Sequence, residues 1–271
     1  MLGARTGGVF MADQLVMSSA RLIVVRHWWA LRRGNPWTLL VNGLFEPFLY
    51  LMSVGVGIGT LIGAPGRTIA GGYSYASFVA PALLATSAMN TATAETIWGV
   101  WFRMRFDKFY DSLVTTPLTA SDIAVGETTA AGLRGLFAGS CFLGVLAVLG
   151  MTHSLWALLA LPAVALSAFS FAVAGLAVAT LMRELHHNQY VQLVMLPMFL
   201  FSATFYPLSI YPTVIRDVVA ALPLYQATNL IRGLTLGHVG VPQVFAAVYL
   251  CVFGLLSLWF GSRRLTRLLG H

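Results

Sequence analysis

The sequence predicts an all-α polytopic membrane protein with six transmembrane helices, and three observations support this fold class. Hydrophobic residues make up 58% of the 271-residue chain and charged residues only 9%, whereas soluble domains carry about 25% charged residues. Several apolar runs reach the roughly 20 residues that a helix needs to cross a bilayer. These runs are continuously apolar rather than alternating, which disfavours a β-barrel.

The six spans form one predicted transmembrane domain, residues 38–262, between an N-terminal segment, 1–37, and a basic tail, 263–271. The spans are predicted at roughly 38–62, 75–101, 129–150, 155–182, 189–206 and 243–261. Of the 16 basic residues, 13 fall in segments on the same side as both termini. Because basic residues concentrate in cytoplasmic segments, both termini are predicted to be cytoplasmic. The net charge of +7 is explained by the same bias, so no nucleic-acid partner is expected.

The segment before span 1 reads SARLIVVRHWWALRRGNPW and has the pattern of an amphipathic helix. Apolar residues recur at helical spacing, while Arg26 and Arg33 lie on the opposite side. Such a helix lies in the membrane interface, with Trp28 and Trp29 at headgroup depth. The alternative is an ordinary basic flank beside the first span.

Polar residues inside the first two spans predict a polar seam between helices. Asn42 and Glu46 are one turn apart in span 1. In span 2, one face at helical spacing carries Ser87, Asn90 or Thr91, and Glu95. A carboxylate in hydrocarbon costs roughly 2.5–3.5 kcal/mol, so it usually faces a bundle interior or a wet cavity. Two interpretations stay open: contact with a polar substrate headgroup, or helix packing with a carboxylate protonated or paired with an arginine such as Arg134.

The cytoplasmic loop 102–127 combines an apolar stripe with charges of both signs. The stripe has the i, i+3, i+4, i+7, i+8 spacing of an amphipathic helix, and its members are Phe106, Phe109, Tyr110, Leu113 and Val114. Arg105 and neighbouring charges lie outside the stripe, and Pro117 ends the helix. Thr119 and Asp122 have the spacing of a capping box that begins the next helix. The stripe either rests on the membrane or fits a groove on a cytosolic protein, and the mixed charges favour the protein.

The segment 207–242 is predicted to be an external re-entrant helical hairpin between spans 5 and 6. Pro207, Pro212 and Pro223 break it, yet it is too apolar for a solvated loop. Two short helices are predicted at 213–221 and 225–235, with Tyr211 and Arg232 among the residues of the segment. Irregular backbone at membrane depth requires shielding by protein; the alternative is a hairpin lying on the surface.

The chain lacks the sequence features of an ATP site or a metal site. Lys108 is its only lysine, and no glycine-rich loop precedes it, so there is no P-loop. The two cysteines lie in apolar runs, and neither HExxH nor CxxC occurs. We therefore expect no catalytic residue, no metal and no cofactor bound by this chain. Energy for transport must come from a partner or from an ion gradient; in the second case Glu46 and Glu95 would serve a secondary transporter or channel.

Four segments carry a resemblance to a known family. They are APALLATSAMNTATAETIWGVWFRM, TTPLTASDIAVGE, FLFSATFYPLSIYP and LPLYQATNLIRGLTLGH. In order and spacing they resemble the membrane subunits of type 2 ABC exporters, and within them the permeases for nodulation factors and other lipo-oligosaccharides. The resemblance covers nearly the whole chain beyond about residue 20.

The resemblance implies a multi-pass permease of the bacterial inner membrane that works with partners. Two permease copies, identical or paralogous, would pair above two separate ATPase subunits, which bind ATP and Mg. The interfacial helix and a coupling helix in the loop after span 2 would contact the ATPases. We expect the coupling to involve Arg105, Phe106, Phe109, Tyr110, Leu113 and Pro117. The substrate would be amphipathic, either a lipid-linked oligosaccharide or glycolipid or a hydrophobic drug, and it would be exported.

Overall fold

A computed structural model describes residues 45–58, 74–105, 119–152, 154–182 and 184–269. The described residues form eight α-helices and three short 3-10 turns, and they contain no strand. The helices are α1 (Glu46–Tyr50), α2 (Tyr75–Arg105), α3 (Ala120–Val148), α4 (Ala160–Leu181), α5 (Asn188–Phe201), α6 (Thr213–Ala220), α7 (Pro223–Leu236) and α8 (Val241–Leu269). α1 continues as a π-helix, Leu51–Ile58, and the 3-10 turns are Leu155–Leu159, Leu185–His187 and Leu208–Ile210.

Many of the predicted site residues lie outside the described part of the chain. This applies to the interfacial helix and span 1 positions Arg26, Trp28, Trp29, Arg33 and Asn42. It also applies to the loop positions Phe106, Phe109, Tyr110, Leu113 and Pro117. Glu46 and Arg105 lie within α1 and α2, but only their backbones are described.

Among the described residues, three helical segments are long and apolar enough to cross a membrane by length and composition. They are Ala120–Val148, Trp156–Leu181 and Val241–Leu268, and Gln189–Phe201 is a shorter apolar helix. The all-helical fold is thus confirmed for the described residues, whereas the count of six spans stays a prediction. The two short helices expected in the segment 207–242 are also confirmed, as α6 and α7.

The core of the bundle is formed by α2, α3 and α4, which approach closely through small residues. A Cβ added at Gly135 of α3 would lie 2.9 Å from the carbonyl oxygen of Ala88 and 3.0 Å from Cβ of Ala168. Small residues at such positions let helix backbones come together, as is typical of membrane helices. Around this contact the buried side chains of Leu84 and Phe142 fill the interior.

α2 connects the two ends of the molecule. Near its start, the Tyr75 hydroxyl donates to the carbonyl of Phe205, and the carbonyl of Phe78 accepts from Arg232. The helix ends at Arg105, where the loop 106–118 begins in the sequence. At 1.5 Å per residue, the 31 residues of α2 span about 46 Å. We call the end where α2 finishes and α3 begins the loop end, and the opposite end, formed by α6 and α7, the hairpin end.

α5 lies at the margin of the bundle and is only partly enclosed. Tyr190, Leu193 and Val194 are 61%, 69% and 66% exposed, respectively. The helix touches the core through Met195, Met198 and Phe199. This placement leaves a cavity on either side of α5.

Candidate functional site

A polar cavity of about 160 Å³ lies between α5, α2 and α1. Its polar groups come mainly from α2, where they recur at helical spacing, and from Gln192 of α5. They are Thr86, Ser87, Asn90, Thr91 and Gln192, and the apolar lining is Tyr50, Leu83, Met195, Leu196 and Phe199. The cavity is lined by Ser87, Asn90 and Thr91, which the sequence places on the polar face of span 2.

An apolar groove of about 530 Å³ lies on the other face of α5, between α5, α2, α4 and α8. Its walls are almost entirely hydrocarbon and aromatic side chains. They include Ile97, Phe171, Val178, Met182, Val191, Val194, Met198, Leu222 and Phe253. At one end, His187 and Tyr190 supply polar groups, and Thr93 adds a hydroxyl from α2.

α5 thus presents two chemically different surfaces to its surroundings. Gln192 faces the polar cavity, Val191 and Val194 face the groove, and Met195 lines both. Ligand sites are usually apolar concavities with a few polar groups that fix orientation. Together the two cavities offer hydrogen bonds on one side of a helix and hydrocarbon surface on the other.

Glu95 does not join the polar cavity, because it pairs with an arginine on α3. Arg134 Nη1 donates a hydrogen bond to Glu95 Oε2. This contact is the pairing with Arg134 that the helix-packing interpretation names for a carboxylate of the seam. This contact between side chains of neighbouring helices helps to hold α2 against α3.

A second ion pair joins the same two helices at the loop end. Arg103 Nη2 donates to Glu127 Oε2 at 2.6 Å. The Glu127 side chain is only 2% exposed, and that of Arg103 is 19% exposed. Because a buried charge requires a close partner, this pair fixes the end of α2 beside the first turns of α3.

The start of α3 is fixed by the predicted capping box. Asp122 N–H donates to Thr119 Oγ1 at 3.3 Å, and Thr119 N–H donates to Asp122 Oδ2 at 2.9 Å. The Asp122 carboxylate also lies in the first turn, where the helix dipole stabilises negative charge. The capping box is therefore confirmed, and it fixes the backbone at the first turn of α3.

At the hairpin end, Arg232 of α7 binds two backbone segments. Its Nε donates to the carbonyl oxygen of Phe78 at 3.1 Å, and its Nη2 donates to that of Ala203 at 2.9 Å. Its guanidinium carbon lies 3.9 Å from the centroid of the Phe78 ring. The arginine therefore joins α7 to the start of α2 and to the turn that follows α5.

The turn after α5 has an uncommon backbone that side chains stabilise. Ala203 has a φ of +53° and is 1% exposed, a left-handed conformation that costs non-glycine residues roughly 1–2 kcal/mol. Thr204 Oγ1 donates to the Phe199 carbonyl at 2.8 Å, and Tyr75 Oη to that of Phe205 at 3.3 Å. The first contact satisfies a carbonyl group in the last turn of α5, and the second joins the turn to the start of α2.

The other residues predicted for this segment shape the path of the chain. Pro207 and Pro212 flank the 3-10 turn Leu208–Ile210, and Pro212 is the N-cap of α6. The ring of Tyr211 packs against that of Phe201, with centroids 6.4 Å apart. Among the residues predicted for this segment, Arg232 is the one whose side chain contacts α2.

Three residues of these sites were missed by the sequence analysis. Glu127 and Gln192 are single polar residues in apolar helices, and that could have marked them as inward-facing. Ala203 carried no signal, since alanine is not typical of left-handed backbone. Within the described residues, no three His, Cys, Asp or Glu side chains come together as a metal site.

Comparison with known proteins identifies relatives over most of the chain. The profile of the ABC-2 type transporter family matches residues 19–236. Nodulation protein J of Rhizobium leguminosarum bv. viciae is 34% identical over 237 residues, covering 84% of this chain and 88% of the relative. The protein of the same name from R. leguminosarum bv. trifolii is 33% identical, over 84% and 86% of the two chains. That of Rhizobium meliloti strain 1021 is 32% identical, over 83% and 86%.

Proposed function

Given that the chain belongs to the ABC-2 type transporter family, we propose that it exports an amphipathic substrate with energy from a separate ATPase. Its membership makes it a membrane permease component of an ABC exporter. The substrate that best fits is a lipid-linked oligosaccharide or glycolipid. A hydrophobic drug would use only part of the surface that the protein offers.

The observation that carries this proposal is the pair of cavities on the two faces of α5. A sugar headgroup needs hydroxyl and amide partners, and the polar cavity supplies Thr86, Asn90, Thr91 and Gln192. A lipid chain needs apolar surface, and the groove of about 530 Å³ supplies it. The two regions meet at Met195, so one molecule with a polar and an apolar part could occupy both.

The proposed partners follow from the family and from the sequence of the loop. Two copies of the permease, or this chain and a paralogue, would assemble with two ATPase subunits that bind ATP and Mg. The loop end would face the cytoplasm, with the aromatic stripe Phe106–Val114 against the ATPase, and both termini would lie on the same side. The hairpin end would face outward and close the pathway there.

Ion-driven transport through Glu46 and Glu95 is the competing proposal, and the contacts of Glu95 favour the exporter. A proton or cation relay needs a carboxylate that can release its bound ion. Glu95 is instead held in an ion pair with Arg134, so a transported ion would have to displace the arginine in order to bind this carboxylate.

Photo-crosslinking with two matched probes tests the substrate class. Both probes are the same acylated oligosaccharide, with the photoreactive diazirine either on the acyl chain or on the terminal sugar. We expect the acyl probe to label groove residues such as Val194 and Met198, and the sugar probe to label Asn90 and Gln192. Peptide mass spectrometry of the labelled full-length chain locates the adducts.

Three variants serve to check the assignment. Val194→Trp should block the acyl probe, Asn90→Leu should weaken the sugar probe, and Val244→Trp should affect neither. Val244 is the matched control because it is 62% exposed on α8 and lines neither cavity. Labelling by both probes that is insensitive to Val194→Trp and Asn90→Leu would contradict an amphipathic substrate at α5. Labelling of the groove alone by a hydrophobic drug analogue, with no binding of either sugar probe, would identify a drug exporter.

A further inference from the structure

Two ion pairs connect α2 and α3 at two successive levels, and together we call them the ion-pair ladder. The pairs are Glu95–Arg134 and Arg103–Glu127. Eight residues separate the two ladder residues of α2, and seven separate those of α3. Both separations are about two helical turns, or roughly 11 Å along the axis, so the antiparallel helices meet at matching heights.

The charges are reversed between the two levels of the ladder. At the level nearer the loop, α2 carries the arginine and α3 the glutamate; at the other level, α2 carries the glutamate and α3 the arginine. Sliding α3 by two turns would bring Glu127 beside Glu95, or Arg134 beside Arg103. Because like charges repel, the ladder favours one register between the helices and opposes the register shifted by two turns.

The surroundings of the ladder strengthen it near the loop. Val100 on α2 and Ile123 and Ala124 on α3 belong to one buried apolar cluster with Leu265 of α8. Charges beside such a cluster interact more strongly, and salt screens them less, than charges at an open surface. Gly99 leaves room for the arginine, since a Cβ at that position would lie 2.7 Å from Nη2 of Arg103.

The ladder also comes within one helical turn of the polar cavity. Glu95 is one helical turn beyond Thr91, which lines the cavity wall together with Asn90. Arg103 is two turns further along the same helix, next to the loop. The four charged residues therefore lie between the loop end and the part of α2 that faces the cavity.

We propose that the ladder makes α2 and α3 move as one rigid unit, and that its four residues are positioning residues for coupled transport. This inference rests on the proposed function, because it assigns to α2 and α3 the transfer of ATPase movement to the polar cavity. Without the ladder, α3 would slide or rotate against α2, and ATP would be hydrolysed with less movement at Asn90 and Thr91.

The first test measures transport and ATP hydrolysis in the same vesicles. The full chain is reconstituted with the ABC ATPase that co-purifies with it, and a fluorescent acylated oligosaccharide is the transported probe. The Arg103→Gln/Glu127→Gln double variant keeps a polar contact of similar shape but removes both charges. We expect the number of probe molecules transported per ATP to fall by about tenfold, a typical size for coupling between sites.

Two further variants separate coupling from general damage. Arg103→Lys keeps the positive charge and should recover most of the transport per ATP. Arg216→Gln removes an exposed arginine of α6 and should leave the ratio at the wild-type value. The yield of the assembled complex and its thermal unfolding midpoint are measured for each variant, so that loss of fold is recognised.

The second test measures the movement directly, by the distance between two spin labels. The labels are placed at the exposed positions Ala94→Cys and Val125→Cys in a chain whose Cys141 and Cys251 are replaced by serine. In the complex without nucleotide and in the vanadate-trapped complex, we expect the same narrow distance distribution. The double variant should broaden it.

Two outcomes would overturn the inference about the ladder and leave the proposed function intact. One is a wild-type label distance that changes by a helical turn, about 5 Å, between the two states. The other is a double variant that transports as many molecules per ATP as the wild type. Absence of any ATP-dependent transport by the wild-type complex would instead contradict the proposed function, and the inference would fall with it.

Discussion

Arginine side chains join α2 to its neighbours in different ways toward its two ends. At the loop end, Arg103 and Arg134 pair with carboxylates of the neighbouring helix. At the hairpin end, Arg232 binds two backbone carbonyls and lies against an aromatic ring. The first arrangement joins side chains on regular helices, whereas the second joins a side chain to an irregular turn.

This difference indicates what each end can tolerate. A helix-to-helix ion pair fixes register but leaves both backbones regular, so its loss should change how the helices move more than how they fold. Arg232 instead satisfies the carbonyl of Ala203, whose left-handed backbone is already strained. We therefore expect substitutions at the hairpin end to affect folding most, and those at the loop end to affect coupling most.

The largest effect on stability is expected for Arg232→Met. The methionine has a similar length but cannot donate hydrogen bonds, so it leaves the carbonyls of Phe78 and Ala203 without these partners. An unsatisfied buried polar group costs about 1–3 kcal/mol, and we expect a loss of about 3 kcal/mol in total. The thermal unfolding midpoint of the purified full chain in detergent measures it.

Arg216→Met is the matched control for this substitution, because Arg216 is exposed on the nearby helix α6. It should leave the midpoint unchanged. Arg232→Lys should lie between the two, since an ammonium group cannot reproduce the planar fork of a guanidinium. Equal midpoints for Arg232→Met and Arg216→Met would show that the hairpin end does not depend on Arg232.

A smaller loss is expected for Glu127→Leu at the loop end. The substitution leaves Arg103 without the carboxylate 2.6 Å away, but Arg103 is 19% exposed and can turn toward solvent. We expect a loss of about 2 kcal/mol, below the range for fully buried pairs. The same unfolding measurement tests it, and a loss larger than that of Arg232→Met would reverse the comparison between the two ends.

Glu95→Leu should cost less again. The side chain of Glu95 is 30% exposed, and partly exposed ion pairs contribute at most about 1 kcal/mol. Glu95→Gln, which keeps a hydrogen-bond acceptor for Arg134, should lie even closer to wild type. A loss of fold in Glu95→Leu would mean that this level of the ladder is structurally more important than the level at Glu127.

The smallest expected change is a gain of stability from Ala203→Gly. Glycine adopts a φ of +53° without the steric cost that alanine incurs there. Part of this gain is lost because glycine has more freedom in the unfolded chain, so we expect a net stabilisation of about 0.5 kcal/mol. Ala94→Gly, at an exposed position in the interior of helix α2, should destabilise instead, and equal signs for the two would contradict a strained turn at Ala203.

Sequence patterns predicted the features that depend on local spacing. The capping box at Thr119 and Asp122, the helices α6 and α7 and the polar face of α2 follow from intervals of three or four residues. Arg134 could be named as a candidate partner for an intramembrane carboxylate because it lies near the start of the predicted third span. In each case the signal is contained in one helix or in the ends of two.

The remaining contacts depend on how distant segments meet, which local spacing does not specify. The groove beside α5 exists because Phe171, Met198, Leu222 and Phe253 come together from four parts of the chain. Arg232 reaches Ala203 only because the turn after α5 folds back toward α2. Neither hydrophobic periodicity nor turn propensity identifies such contacts.

The measurement that tests the proposed function most directly is ATP-driven transport in inside-out vesicles. The vesicles contain the full chain and its co-purified ATPase, and the probe is the fluorescent acylated oligosaccharide. We predict accumulation that requires ATP, that vanadate abolishes and that an uncoupler of the proton gradient leaves unchanged. Accumulation that follows an imposed ion gradient without ATP, and that Glu95→Gln removes, would contradict an ABC exporter and support ion-driven transport instead.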